Sequence, residues 1–202
     1  MSEVQAFQLS YDDGARAVEL ARESVLSYVR HGQREQPGSM RDSFYNRTGA
    51  LVRIKSTRGM GRLRGCAGAY RSTEQLGHAI VDAAIEAASS SSCGSEIEVP
   101  ELASLSISVC IILDYEPVGD PLESLQLGRH GVAIDAGQTQ AWMYPTLPVE
   151  MGWSPEELLT HTARKAGLAP DGWADPNVEV TLFDGQVFRE RLDGGAVEEV
   201  TV

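Results

Sequence analysis

The chain is poor in several features that would have named a function. It has no apolar run near the roughly 18 residues that a membrane span needs. Met1 to Ser10 lacks the charged start and apolar stretch of a secretion signal, so a cytoplasmic protein is expected. No GxGxxG follows a strand, and GxxxxGKS/T, HExxH and GxSxG are missing. Gly59-Met60-Gly61 has the glycines of a phosphate loop and nothing else of one. Only three cysteines occur, Cys66, Cys93 and Cys110. They cannot make a disulfide framework, their spacing is too wide for CxxC chemistry, and no histidine stands at ligand spacing to them. No metal and no cofactor is expected. There is no internal repeat.

Lysine is scarce, with two against fifteen arginines, and acid is in excess: 29 Asp and Glu give a net charge of −12. That balance argues against a general nucleic-acid binder. It also resembles the composition of salt-adapted proteins. The charge is unevenly spread. Arg41 to Arg71 holds eight basic residues and one acid, a local +7, while the remainder is −19. Such a patch on an acidic body suits a small anionic ligand, or is a solvated arginine face.

What is present is enough apolar residue, 42%, for a core in 202 residues. A single domain over residues 1–202 is expected, with a core of about 12–190 and an acidic tail at 192–202. Asp12 is placed to cap a helix over 13–30, whose Ala15, Val18, Ala21 and Val25 recur at helical spacing. Residues 49–55 alternate, with Ala50, Val52 and Ile54 on one side and Leu51, Arg53 and Lys55 on the other. A return strand at 62–70 sorts Leu63, Gly65, Ala67 and Ala69 onto a small apolar face. Arg62, Arg64, Cys66, Gly68 and Tyr70 take the opposite one. Thr73 starts an alanine-rich helix to Ser89, and Ser89 to Ser95 reads as a flexible end with Cys93 as an exposed bystander. A strand follows at 102–113, then a turn at Asp120-Pro121 and a hairpin of 127–135 with 140–144. Tyr144 to Pro148 reads as a loop. Ser154-Pro155-Glu156-Glu157 opens a helix with a capping box. Strands at 178–183 and 186–189 close the chain. Hairpins without βαβ alternation predict an α+β fold with an antiparallel sheet.

Cys66, between two glycines and beside Arg62 and Arg64, is the residue with a nucleophile's surroundings, since neighbouring cations favour thiolate. Against this stands its reading as a small packing residue. Cys110, in mid-strand, reads as packing. Catalysis at Cys66 needs a base, and His161 and His78 are available. His161 and Lys165 share a helix face, and Glu150 lies just upstream; together they form a candidate polar wall toward the basic hairpin, or a solvated helix side. Catalytic candidates are therefore Cys66, Glu150 and His161. Ligand-binding candidates are Arg62, Arg64, Gly65, Gly68 and Lys165.

Leu63-Arg64-Gly65-Cys66-Ala67-Gly68 resembles the LRGCIG signature of the AMMECR family. Gly128-Arg129-His130-Gly131-Val132 is similar to its GRDGL, Pro148-Val149-Glu150-Met151-Gly152-Trp153 to its PVExGW, and Lys165 to Trp173 to its KAGLPPDAW. The order fits over roughly residues 12–190. Ala67 departs from isoleucine, His130 from aspartate, Ser89 to Ser95 from a DPRF-like segment, and Ala163 from a second cysteine of many members. The resemblance implies one compact α+β unit, a larger and a smaller lobe around a cleft, with the signature near it. It implies no activity. It sets such chains beside Memo-type proteins, similar to non-haem iron dioxygenases, and a radical-SAM protein.

Three readings follow. One is a cytosolic enzyme or enzyme subunit that binds a small anion near Arg64, with Cys66 reactive. The second is a non-catalytic binding or scaffold module for a protein partner or nucleic acid. The third makes the signature architectural, its glycines letting the alanine-rich helix pack on the sheet.

Overall fold

The computed structural model describes residues 7–38, 41–58, 61–89, 93–191 and 196–200. Gly59-Met60 and the middle of Ser89–Ser95 lie outside the described residues. The chain divides into two units, one running to Ile111 and resuming at Gln186, the other Ile112–Gly185. Among the described residues no helix is long and apolar enough to cross a membrane.

The first unit begins with α1, Tyr11–His31, capped by Ser10 rather than Asp12 and closed by Gly32 in a left-handed conformation. Strands β1, Ala50–Ser56, and β2, Leu63–Ala69, form the expected hairpin. Helix α2, Leu76–Ala88, starts after Gln75, later than Thr73 suggested. A 3-10 turn at Val99–Ser104 precedes β3, Leu105–Val118, so the strand begins three residues late and runs longer. In this unit the order is β2-β1-β3, with β6, Glu179–Glu190, beside β3. One sheet face carries Ala50, Val52, Ile54, Ala67, Ile107, Val109 and Ile111 against α1 and α2. The alternation of β1 and β3 and the stripe of α2 are as expected. Arg22 of α1 pairs with Glu190, whose second oxygen accepts the Ile107 amide.

The second unit holds the rest of β3, a turn of helix α3 at Pro121–Ser124, the hairpin β4, His130–Asp135, and β5, Gln140–Met143, a short helix α4 at Leu147–Met151, and α5, Pro155–Lys165, with the predicted capping box. Tyr144 to Pro148 therefore runs into a helix. One continuous strand, β6, Glu179–Glu190, replaces the two expected. Its order in this unit is β3-β6-β4-β5. Val132 and Ile134 of β4 stand opposite Leu182 and Val180 of β6, and this row seats Leu158, Leu159 and Ala163 of α5. Within the acidic tail Val197–Glu199 forms β7, paired with β6 in the first unit. Every pairing with a described register is antiparallel, which makes this an α+β fold with a helix-flanked antiparallel sheet.

Candidate functional site

Two places gather chemistry-bearing side chains. The first is the signature strand β2. Its pairing with β1 runs Arg53 opposite Cys66 and Ile54 opposite Gly65, then Lys55 opposite Leu63. Arg64 is the extra residue of a β-bulge. The bulge moves Leu63 to the Lys55 side, where it is exposed, so the expected apolar face ends at Gly65. Arg53, 8% exposed, is the cation opposite Cys66.

Both signature glycines are required by close backbone approach. A Cβ on Gly65 would collide with the carbonyl oxygen of Ala87, in the last turn of α2. Gly68 has φ +115° and a Cβ there would strike the carbonyl of Ala50. The polar residues are engaged as well. Arg64 donates from Nε to Glu101 Oε1 at 2.6 Å and from a terminal nitrogen to Oε2 at 2.9 Å. That fork is 16% exposed on the arginine side, and Glu101 also caps its own 3-10 turn through the Glu98 amide. The hydrogen-bonded fork to Arg64 holds the Glu101 carboxyl below the usual carboxylate range. Cys66 is bonded to Cys93, with Cα atoms 5.5 Å apart. Next to it, Gly94 lies so close to the Arg64 carbonyl oxygen that a Cβ would collide. Residues 93–94 thus cover the outer side of β2, the terminal strand of the sheet.

One expectation is corrected here: Cys93 is the partner of Cys66, not a bystander. Cys66, the expected nucleophile, is a half-cystine in this structure, and Arg64, the expected ligand-binding residue, forks to Glu101. The +7 segment is similarly divided: Arg41 pairs with Asp13 at 3.0 Å, Arg47 donates to the Thr73 carbonyl at 2.6 Å, and Arg71 lies 5.1 Å over the Tyr70 ring. Arg62 is exposed, and its carbonyl accepts the Ser56 amide. Cys110 is fully buried, burial pushes its thiol far up, and packing is its role, as read from the sequence.

Glu150, His161 and Lys165 belong to the second unit. Glu150 accepts a hydrogen bond from the Thr146 hydroxyl at 3.2 Å. The His161 ring stacks on Trp153 with centroids 4.1 Å apart. Lys165 donates to the Trp142 carbonyl at 2.9 Å and sits 4.3 Å over that indole.

The second place was not found by sequence reasoning. The row that seats α5 continues past the helix as His130 opposite Asp184. Around this pair opens a cavity of about 240 Å³, also lined by Glu116 and Arg129. The Gln126 amide donates to His130 Nδ1 at 3.2 Å, so the neutral ring carries its proton on Nε2, which faces Asp184 Oδ1 at 3.4 Å. Arg129 reaches the other oxygen of Asp184 at 3.0 Å. A family profile for AMMECR1 matches residues 18–188. The chain belongs to the AMMECR1 family. It is 58% identical to a protein of Halobacterium salinarum over the full length of both, and 32% identical to one of Methanopyrus kandleri over 95% of each. The crystal structure of an uncharacterized protein from Pyrococcus horikoshii superposes with a TM-score of 0.87 at 27% identity, covering 96% of this chain and 99% of that one.

For this AMMECR1 chain, His130 predicts a pH dependence of stability. Burial lowers the His130 pKa below 6.5; Asp184 opposes that shift, Arg129 adds to it, and Glu116 and the Ser124 backbone oppose it. A histidine with a lowered folded pKa favours the fold above its unfolded value and loses that contribution as pH falls through the folded one. The urea midpoint is therefore expected to fall between pH 7 and pH 5, and to fall less in His130→Asn. Equal slopes in the two proteins would remove His130 as the cause. Among the described residues no group of three or more His, Cys, Asp or Glu is placed to hold a metal ion.

Proposed function

We propose that the protein is a non-catalytic binding module that takes a small polar ligand in the cavity around His130, while the signature strand builds the fold. The supporting observation is the contrast between the two places. On β2 the guanidinium of Arg64, the sulfur of Cys66 and the space beside Gly65 and Gly68 all have structural partners. In the second unit a cavity of about 240 Å³ brings Glu116, Asp184 and His130 to one concave surface. Its size is just below the roughly 300–1,000 Å³ of drug-sized sites. Three lining carboxylates, with Asp114, outnumber the single Arg129. That balance suits a ligand that donates hydrogen bonds, such as a small amine or polyol.

The enzyme reading needs a free Cys66 and an open Arg64, and is the weaker of the two. Binding of nucleic acid is disfavoured by the same engagement of the basic segment. Memo-type and radical-SAM proteins, which the family resemblance sets beside such chains, are the protein partners to try.

Chemical-shift mapping against a panel of small amines and polyols tests the proposal. Shifts are expected at 114–116, 130 and 182–184, and are expected to vanish in Asp184→Asn. Arg64→Ala should lower the melting temperature and leave binding intact. Shifts gathered on β2, or binding lost in a folded Arg64→Ala, would return the ligand to the signature.

A further inference from the structure

We infer that the Cys66–Cys93 bond is an exchangeable disulfide, opened by a dithiol that attacks the sulfur of Cys93. The inference is independent of the ligand reading. It starts from an asymmetry between the two half-cystines. Cys66 lies within β2 and is 5% exposed. Cys93 is only partly buried, on a turn at 93–95 outside any helix or strand. Thiol–disulfide exchange proceeds by thiolate attack on an accessible sulfur, and of the two half-cystines Cys93 is the more exposed residue.

The second observation concerns the leaving group. Attack at Cys93 expels Cys66, and exchange is faster when the departing thiol has a low pKa. Arg53 stands directly opposite Cys66 across the β1–β2 pairing and is itself buried. Its positive charge acts within this region, since it also favours the thiolate of buried Cys110 against the larger effect of burial. A thiolate released at Cys66 therefore forms on the sheet face that carries Arg53, directly across the β1–β2 pairing. Expelling Cys93 instead would require an attacker to reach Cys66 inside the strand.

The reaction balances with a dithiol as reductant. Its first thiolate bonds to Cys93 Sγ, the Cys66–Cys93 bond breaks, and the electron pair stays on Cys66. Its second thiol, deprotonated, attacks the reagent sulfur of the mixed disulfide, forms the reagent's internal disulfide and expels Cys93. Two electrons pass to the protein, and the two thiol protons of the reagent are replaced on Cys66 and Cys93. The reverse reaction with a low-molecular-weight disulfide closes the bond. Cys110, fully buried with its thiol pushed up, takes no part. Opening frees the turn that holds Gly94 against the Arg64 carbonyl, while the Arg64–Glu101 fork stays.

The test uses the full chain, oxidised, with glutathione as a monothiol probe in native buffer, followed by acid quench, alkylation and peptide mass mapping. Glutathione is expected on Cys93 and the alkyl group on Cys66, in at least tenfold excess over the reverse. Dithiothreitol is then expected to open the bond without urea, and oxidised glutathione to re-form it. In the single variants, Cys93 of Cys66→Ser should react with an aromatic disulfide faster than Cys66 of Cys93→Ser. If Cys66→Ser fails to fold, the adduct map of the natural chain still decides. Adducts mainly on Cys66, a bond that opens only in urea, or a reduced protein that oxidised glutathione leaves reduced would each overturn the inference.

Discussion

Gly65→Val is expected to lower stability by at least about 3 kcal/mol, the upper part of the range for overpacking, because the obstacle is backbone that cannot turn aside. A Cβ at position 65 meets the Ala87 carbonyl oxygen, and valine adds two methyl groups beyond it. In a chain of this size, 3 kcal/mol corresponds to roughly 6–12 °C in melting temperature. Strand propensity predicts the opposite sign, since valine is favoured in strands and glycine is not. Ala69→Val, in the same strand on an exposed position, isolates propensity from the clash and should change stability by no more than about 0.5 kcal/mol. Thermal melts of the two variants settle it: if Gly65→Val melts with the natural chain, α2 does not approach β2 as closely as its small residues allow, and the architectural account of the signature fails.

Much of this was legible because it is local. Alternation assigned the buried faces of β1 and β3, and helical spacing assigned the stripe of α2 and its fit to a glycine of β2. The capping box of α5 was legible for the same reason. The bulge at Arg64 was not. Alternation presumes an unbroken register, and one inserted residue leaves no periodic trace, so alternation assigns Leu63 to the apolar face although the bulge leaves it exposed. Partners distant in sequence were also hidden. Arg64 and Glu101 are 37 residues apart, Cys66 and Cys93 are 27 apart, and nothing in composition joins them. A basic run of +7 therefore reads as a patch, although Arg41, Arg47, Arg64 and Arg71 each meet a separate acid, carbonyl or ring. The His130 cavity draws on β3, β4 and β6, and its lining becomes adjacent only when β6 pairs with β4. One signal was available. The alternating rows His130, Val132, Ile134 and Val180, Leu182, Asp184 each end an apolar series on a titratable residue, which marks the point where a packed face gives way to a polar rim.

Replacing both Cys66 and Cys93 by alanine is expected to lower stability by about 3.5 kcal/mol in an oxidising buffer, from the unfolded-chain entropy released by a loop of 27 residues. The loss has a signature that a packing defect lacks. Dithiothreitol should bring the natural chain down to nearly the level of the double variant and leave the variant where it is. What remains between the two under reducing conditions is the packing of the Cys66 thiol, which is smaller than the cross-link contribution because alanine keeps the β carbon and leaves no polar atom unpaired. Arg64→Ala, combined with the cysteine pair, then separates the two ties on the 93–101 segment. Both hold the same stretch against the same strand, so their losses should not add, and the combined loss should fall short of the sum by about 0.5 kcal/mol or more. Full additivity in urea titrations would mean that the disulfide and the Arg64–Glu101 fork secure different parts of the structure, and that closing the bond does not seat Gly94 on β2.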